Sequence, residues 1–346
     1  MKLPSIRLAL KMALPFLFGA VNASAALQSP PMGFYSVELK KGDQAVGVSL
    51  VNPALFSGTI TAVSGNRLGT AALSLDVGGL LTAGKAYYIE IVSGPAGPVD
   101  ALVGHRLEVD VTTTLAATTP NGEIVVIPTS KRSTTTSLAG MAGYQLELRE
   151  HLTLNKVFPK GQLHGSTSFS DADQVQFFDG NGFEICYVYG RDGQAQWTAL
   201  KGFASQDGRV IVPGEGLIFK RSNKSPGPVT LRISGVARTT TFVQPLVAGY
   251  NYVSSGFPVD GSFADRQAWP LTFQNGDRVK VYQSSGFVTY RLYSQGTAPT
   301  ANLWATLGDS GFTSMNDRPV FGHRSAAFFQ LKTAAAGYRY APPFQP

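Results

Sequence analysis

Apolar and polar positions alternate along this chain in short runs, and the clearest run lies between Asp173 and Leu200. Val175 and Phe177 alternate with Gln174 and Gln176, the two-residue period of a half-buried strand. Asp179-Gly180-Asn181-Gly182 follows, a set of residues that tolerates the positive φ of a tight loop. Phe183 to Tyr189 reads as the return strand, so the stretch predicts a hairpin. A further Gly-containing turn leads to Trp197. The pattern recurs at an offset of 104: Asp173 matches Asp277, Val175 matches Val279, Gly182-Phe183 matches Gly286-Phe287, and Tyr189 matches Tyr293. Three extra residues in the next turn then align Trp197 with Trp304 and Leu200 with Leu307. Self-similarity at a fixed spacing marks a duplicated structural unit. The spacing is too long for a solenoid repeat, so two related β units are expected.

Other runs extend the same picture. Gly33–Leu39, Phe56–Val63, Ala86–Val92, Leu107–Val111 and Gly122–Pro128 read as strands separated by turns. Residues 129–142 are Ser/Thr-rich and read as a linker or exposed loop between units. Gly143-Tyr144 resembles Gly249-Tyr250 at an offset of 106. The expected organisation is therefore a leader at 1–25, an N-terminal β domain at 26–135, repeats at 143–240 and 249–335, and a tail at 336–346. Helical patterning beyond the leader is confined to short stretches near 70–81 and 152–158.

Composition agrees with an all-β protein built of two or three sandwich or barrel-like units. Charged residues make up 15% of the chain, with 38 Gly and 21 Pro among 346 residues, against a typical charged share of ~25%. Many turns and few charges between Val-, Thr- and aromatic-rich runs fit short packed strands.

Residues 1–25 differ from the rest. Lys2, Arg7 and Lys11 precede an apolar run from Met12 to Val21, and Ala23-Ser24-Ala25 forms a small-residue cleavage signal. That is the layout of a secretory leader, so export and a mature start near Ala26 are expected. Loss of the leader lowers the formal charge from +7 to +4. No later apolar run approaches the ~20 residues of a membrane-spanning helix, so no transmembrane anchor is expected. The lone Cys186 rules out a disulfide within the chain and reads as a buried, inert side chain.

The order GFYSVEL, Phe56-Ser57-Gly58-Thr59-Ile60, Tyr87-Tyr88-Ile89-Glu90-Ile91 with Ser93-Gly94, His151-Leu152-Thr153-Leu154 with Val157-Phe158, Asp173-Gln174-Val175, Trp197 and Pro213-Gly214-Glu215-Gly216 resembles an uncharacterised family of exported β-rich proteins found mainly in Verrucomicrobia-type bacteria. The resemblance covers nearly all of the chain after the leader. It implies export and a β fold, and it carries no catalytic residues.

Candidate chemistry is sparse. His105, His151, His164 and His323 show no metal-ligand spacing, and neither a nucleophile elbow nor a phosphate-binding loop occurs. His151 with Glu147 and Glu150 is the nearest approach to an acid/base cluster, and a solvated strand edge is its expected setting. Asp171, Asp173, Asp179 and Asn181 offer oxygens but match no calcium loop, so turns are their expected role. The cations are dispersed among acids, which argues against nucleic acid and leaves acidic glycans or an envelope surface as partners. No cofactor is expected. These features favour a non-catalytic envelope or surface protein with a structural or adhesive role. The alternative is a carbohydrate-binding module that stacks sugars on Tyr187, Tyr189, Trp197, Tyr290, Tyr293 and Trp304. Burial of these rings would favour the first reading. A hydrolase using a carboxylate pair such as Asp171 and Asp173 is a third class.

Overall fold

The computed structural model describes residues 32–70, 79–97, 100–116, 123–191, 194–262, 273–283, 286–294, 302–310, 313–321 and 325–340. The expected leader, His323, most of the 70–81 stretch and the last residues of the expected tail lie outside them. The protein is all-β. Among the described residues no helix is long and apolar enough to cross a membrane.

The first unit is a sandwich. Met32–Leu39 pairs antiparallel with Val229–Ala237, Tyr35 opposite Ile233, and Leu50–Val51 extends that sheet. The second sheet has five antiparallel strands in the order Gln194–Ala199, Phe183–Arg191, Gln174–Phe178, Gly216–Arg221, Gly42–Gly47. The apolar halves of these alternating strands meet in one core that includes Val37, Leu231, Val175, Phe177 and Phe219. Trp197 and Cys186 are buried in it.

The chain leaves this sandwich at Val51 and returns at Leu152. Between those points it forms a closed six-stranded barrel from Ala54–Ser64, Arg67–Thr70, Glu123–Ile127, Arg106–Val109, Tyr87–Ser93 and Gln145–Glu150. Inward side chains such as Ile60, Leu68, Ile89, Leu107, Val126 and Leu148 fill its interior. Val111, read above as the end of a strand, instead opens the helix Val111–Ala116. Residues 129–142 are part of the barrel and not a linker. The Thr134 N–H donates to the Arg106 carbonyl at 2.9 Å, and the Glu108 N–H donates to Ser133 Oγ at 3.0 Å. Leu138 and Met141 from the same loop are buried in the barrel core. The loop is polar in sequence because its hydroxyls bond to backbone, which composition alone does not distinguish from solvation.

The last unit repeats the first. Phe242–Leu246 pairs with Ala335–Tyr340. A five-stranded sheet runs Asn302–Thr306, Gly286–Ser294, Arg278–Gln283, Ala326–Leu331, Gly249–Ser254, the same order as in the first sandwich. The two-stranded pair Leu152–Thr153 with Val210–Ile211 has a counterpart in Gly261–Ser262 with Pro319–Phe321. Part of the expected tail is therefore a strand, and its Arg339 donates to the carbonyls of Asp100 at 2.6 Å and Ala101 at 2.7 Å on the barrel.

Register identifies the counterpart of Gly249. Gly42 opposes Arg221 and Gly249 opposes Leu331 at the same place in the two sheets. Both glycines sit at positive φ, 94° and 92°, where a side chain is strained. Gln44 Oε1 accepts the Lys40 N–H at 2.6 Å, and Asn251 Oδ1 accepts the Val247 N–H at 2.8 Å. Gly143-Tyr144, by contrast, leads into a barrel strand. The first copy thus begins before the barrel and continues after it, instead of beginning at residue 143.

Candidate functional site

Three units meet around a cleft of about 710 Å³, within the range usual for ligand sites. The barrel contributes Ala86, Lys131 and Arg132. The first sandwich contributes Phe177 to Asp179, Gln206, Gly208 to Val210, Val212 and Glu215, and the last unit contributes Gln244 and Tyr252. The walls are held together by contacts between the two sandwiches. The Ser254 N–H donates to the Gly214 carbonyl at 2.9 Å, and Tyr252 Oη donates to the Leu217 carbonyl at 3.2 Å. The Tyr252 ring stacks on Phe328 at 4.1 Å.

Charges in the cleft are positioned by neighbours. Arg209 lies over the Phe177 ring at 3.8 Å and pairs with Glu184 at 2.5 Å, a cation stacked on an aromatic face. Arg132 Nη1 donates to Glu108 Oε1 at 2.8 Å. Glu215 is half-buried, and its Oε2 accepts the Val212 N–H at 3.0 Å. Burial pushes its carboxyl up to about 7, against that bond and the nearby Arg209 and Arg132. Asp179 is exposed and held low by the N–H groups of Asn181 and Gly182, 2.9 and 2.8 Å from Oδ1. The two carboxyls are driven in opposite directions within one cleft, a pattern enriched at binding and catalytic sites.

Behind the cleft lies a buried ionic junction. Arg238 Nε donates to Glu90 Oε1 at 2.6 Å. Arg106 Nη2 donates to Gln244 Oε1 at 2.9 Å. Both guanidinium groups lie against the Phe242 ring, at 4.9 and 4.7 Å from its centroid. Burial, with Arg238 as the second cause, pushes Arg106 down to about 10. Phe242 belongs to the last unit, Arg238 closes the first sandwich, and Glu90 and Arg106 are barrel residues. The junction therefore ties all three units with charges.

His151 is not at a solvated edge. It is 2% exposed, its Nε2 lies 2.9 Å from Glu108 Oε2, and its ring packs 4.6 Å from Tyr88. Burial lowers its pKa despite Glu108. The edge expectation fails because the barrel strand ending at Glu150 runs straight into the first sandwich, so its end is an internal seam. Asp173 is likewise no simple turn residue. It is fully buried, pairs with Arg221 at 2.7 Å, and accepts from the Ser222 N–H, Ser225 Oγ and His164 N–H. Among the described residues no group of three or more His, Cys, Asp or Glu could hold a metal.

The six proposed stacking rings do not form a platform. Trp197, Tyr187, Tyr290 and Trp304 are buried at 0–5% exposure, and Tyr189 and Tyr293 are half-buried. Trp197 Nε1 donates to the Phe158 carbonyl at 2.9 Å. Strand alternation turns the tryptophans and Tyr290 inward. The aromatic chain Phe169–Tyr187–Tyr189–Phe203, exposed only at its end rings Phe169 and Phe203, has interplanar angles of 67°, 79° and 76°, so its rings meet edge to face. Cys186 is buried, and burial raises its thiol to about 11.

Sequence reasoning missed Arg209 and Glu215 as partners of Lys131 and Arg132. Their juxtaposition is tertiary, and the one local signal was the Pro213-Gly214-Glu215-Gly216 turn, which places a carboxylate where two glycines permit close approach. A Cβ on Gly214 would lie 2.3 Å from Phe242 Cζ. Comparison of the chain with family models, curated proteins and solved structures finds no match.

Proposed function

We propose that this protein is an exported, non-catalytic surface or envelope β protein with an adhesive or structural role. The observation that carries the reading is the use of its deeply buried charges. Glu90 with Arg238 and Asp173 with Arg221 fasten strands and units to one another, and a buried hydrogen bond between Glu108 and His151 adds to them. Such pairs position a rigid assembly of β units, which is what a protein presenting a fixed surface requires. The leader-like residues 1–25 support export. Carbohydrate recognition remains the second reading. The cleft favours it, whereas the edge-to-face aromatic chain does not.

The test is fractionation of cells expressing the full chain, with N-terminal sequencing of the product. Material on the outer surface or in the envelope starting near Ala26, with no activity on a polysaccharide panel, is the expected result. A cytoplasmic product that retains Met1 contradicts the export half. Turnover abolished by Glu215→Gln contradicts the non-catalytic half.

A further inference from the structure

We propose that the three-unit cleft binds an oligosaccharide that carries carboxylate groups. The inference deepens the adhesive reading by naming what the surface holds. The cleft mixes two kinds of polar group. Lys131, Arg132 and Arg209 bring cations from two units. Glu215 and Asp179 bring carboxylate acceptors, and Gln206 and Gln244 bring side-chain amides. A ligand that is only anionic, such as inorganic phosphate, would be repelled by Asp179, whose carboxyl is held low. A neutral sugar would offer no charge to Lys131, which is exposed at the mouth and has only Asp179 of the cleft acting with it. A uronic-acid oligomer satisfies both sets: its hydroxyls donate to the carboxylates and amides, and its carboxylates face the cations. Arg209 is suited to that task because the Phe177 ring and Glu184 fix its plane before a ligand arrives, which lowers the ordering cost of binding. The half-buried Phe178 ring supplies apolar wall for a sugar face. At about 710 Å³ the space suits two to four sugar rings, roughly the size class of ordinary ligand pockets.

Gly208 offers a clean way to close the cleft. A Cβ built there meets nothing within 4 Å, and its φ is not in the left-handed region. Gly208→Trp therefore adds a large ring at a lining position of the cleft, with no clash at its Cβ and no backbone strain. The experiment is titration calorimetry of the purified mature protein with tetragalacturonate, an alginate tetramer and a hyaluronate tetrasaccharide, with maltotetraose as the neutral comparator. Wild type should bind at least one acidic probe and bind maltotetraose at least about tenfold more weakly. Gly208→Trp and Lys131→Glu should each weaken the acidic probe by about tenfold or more, with melting temperatures unchanged. Phe169→Ala, at the exposed end of the aromatic chain and outside the cleft, should bind as wild type does. No binding of any acidic probe, or equal binding by Gly208→Trp, overturns the proposal. Equal binding of maltotetraose overturns the charge assignment, and loss of binding in Phe169→Ala moves the site to the aromatic chain. Because the titration uses purified protein, its failure leaves the localisation result standing, and the two readings fail separately.

Discussion

The two copies of the sandwich share a frame and differ in what has been added to it. In the first, Asp173 Oδ1 accepts the Ser222 N–H at 2.9 Å. In the second, Asp277 Oδ1 accepts the Lys332 N–H at 2.9 Å. Each aspartate thus clamps the end of the neighbouring strand. The loop after each tryptophan strand matches as closely. The Trp197 N–H donates to Asp207 Oδ1 at 2.9 Å, and the Trp304 N–H donates to Asn316 Oδ1 at 3.0 Å. The residue just before each acceptor closes the loop, Gln206 N–H donating to the Trp197 carbonyl at 2.7 Å and Met315 N–H to the Trp304 carbonyl at 2.8 Å. The additions lie in the first copy. It carries the inserted barrel, the buried Arg221 where the second copy has Leu331, and Glu215 one residue before the strand whose partner begins at Ala326. Backbone satisfaction is what the duplication preserves, since every buried N–H needs an acceptor. The buried Asp173–Arg221 ion pair and Glu215 are what set the first copy apart.

Tryptophan truncation is the strongest way to break this equivalence. Trp197→Ala and Trp304→Ala should each cost ~3–5 kcal/mol. Trp197 should stand at the upper end, because it is fully buried and its indole N–H would leave the Phe158 carbonyl without its donor. Denaturant unfolding of both variants checks this. An unchanged midpoint in either variant would mean that its ring is not part of a packed core.

The aspartates sharpen the comparison. Asp173→Asn leaves Arg221 buried with its charge uncompensated, a loss of roughly 3 kcal/mol. Asp277→Asn has Leu331 at the matching position and loses charge-assisted bonds to two backbone N–H groups, about 1 kcal/mol. Equal losses in the two variants, measured by the same unfolding curves, would refute the assignment of the ion pair as an addition to the first copy.

Much of the repeat was legible in the chain because its signal is local. Alternation at Val175/Phe177 and Val279/Val281, and the Trp-x-x-Leu endings, survive as sequence because adjacent strands impose them. The start of the first copy was not legible. The barrel inserted between Val51 and Leu152 is nearly as long as the repeat offset, so Gly143 fell where a repeat start was expected. The true partner of Gly249 is Gly42, at an offset of 207, and only strand register reveals it. The cleft was illegible for a related reason. Lys131, Arg209, Glu215 and Tyr252 come from three units, and no spacing rule joins residues that meet only after the units dock. His151 shows the same limit: flanking Glu150 and Glu147 suggested solvent, while its actual partner, Glu108, lies on another barrel strand.

Glu215 gives the finest test, because its position in the second copy is taken by Ser325. Burial raises the folded-state pKa of this carboxyl to about 7 from an ordinary 4.5. The folded protein therefore keeps a proton that the unfolded chain releases. The stability linked to this group is fully present below pH 4.5, declines as pH rises from there to about 7, and is flat above. The carboxyl is half open to the cleft, and solvent there limits the swing to about 1 kcal/mol. Glu215→Gln keeps an oxygen that can accept the Val212 N–H and removes the titration. At pH 8 the variant should be more stable than wild type by about that amount, and the difference should shrink as pH falls toward 4.5. Ser325→Ala, in the matching place, should leave the shape of the pH profile unchanged. Urea midpoints for the three proteins between pH 4.5 and 8 decide it. Parallel profiles for wild type and Glu215→Gln would show that the carboxyl is solvated as an ordinary surface acid, and would remove the electrostatic contrast between the two copies.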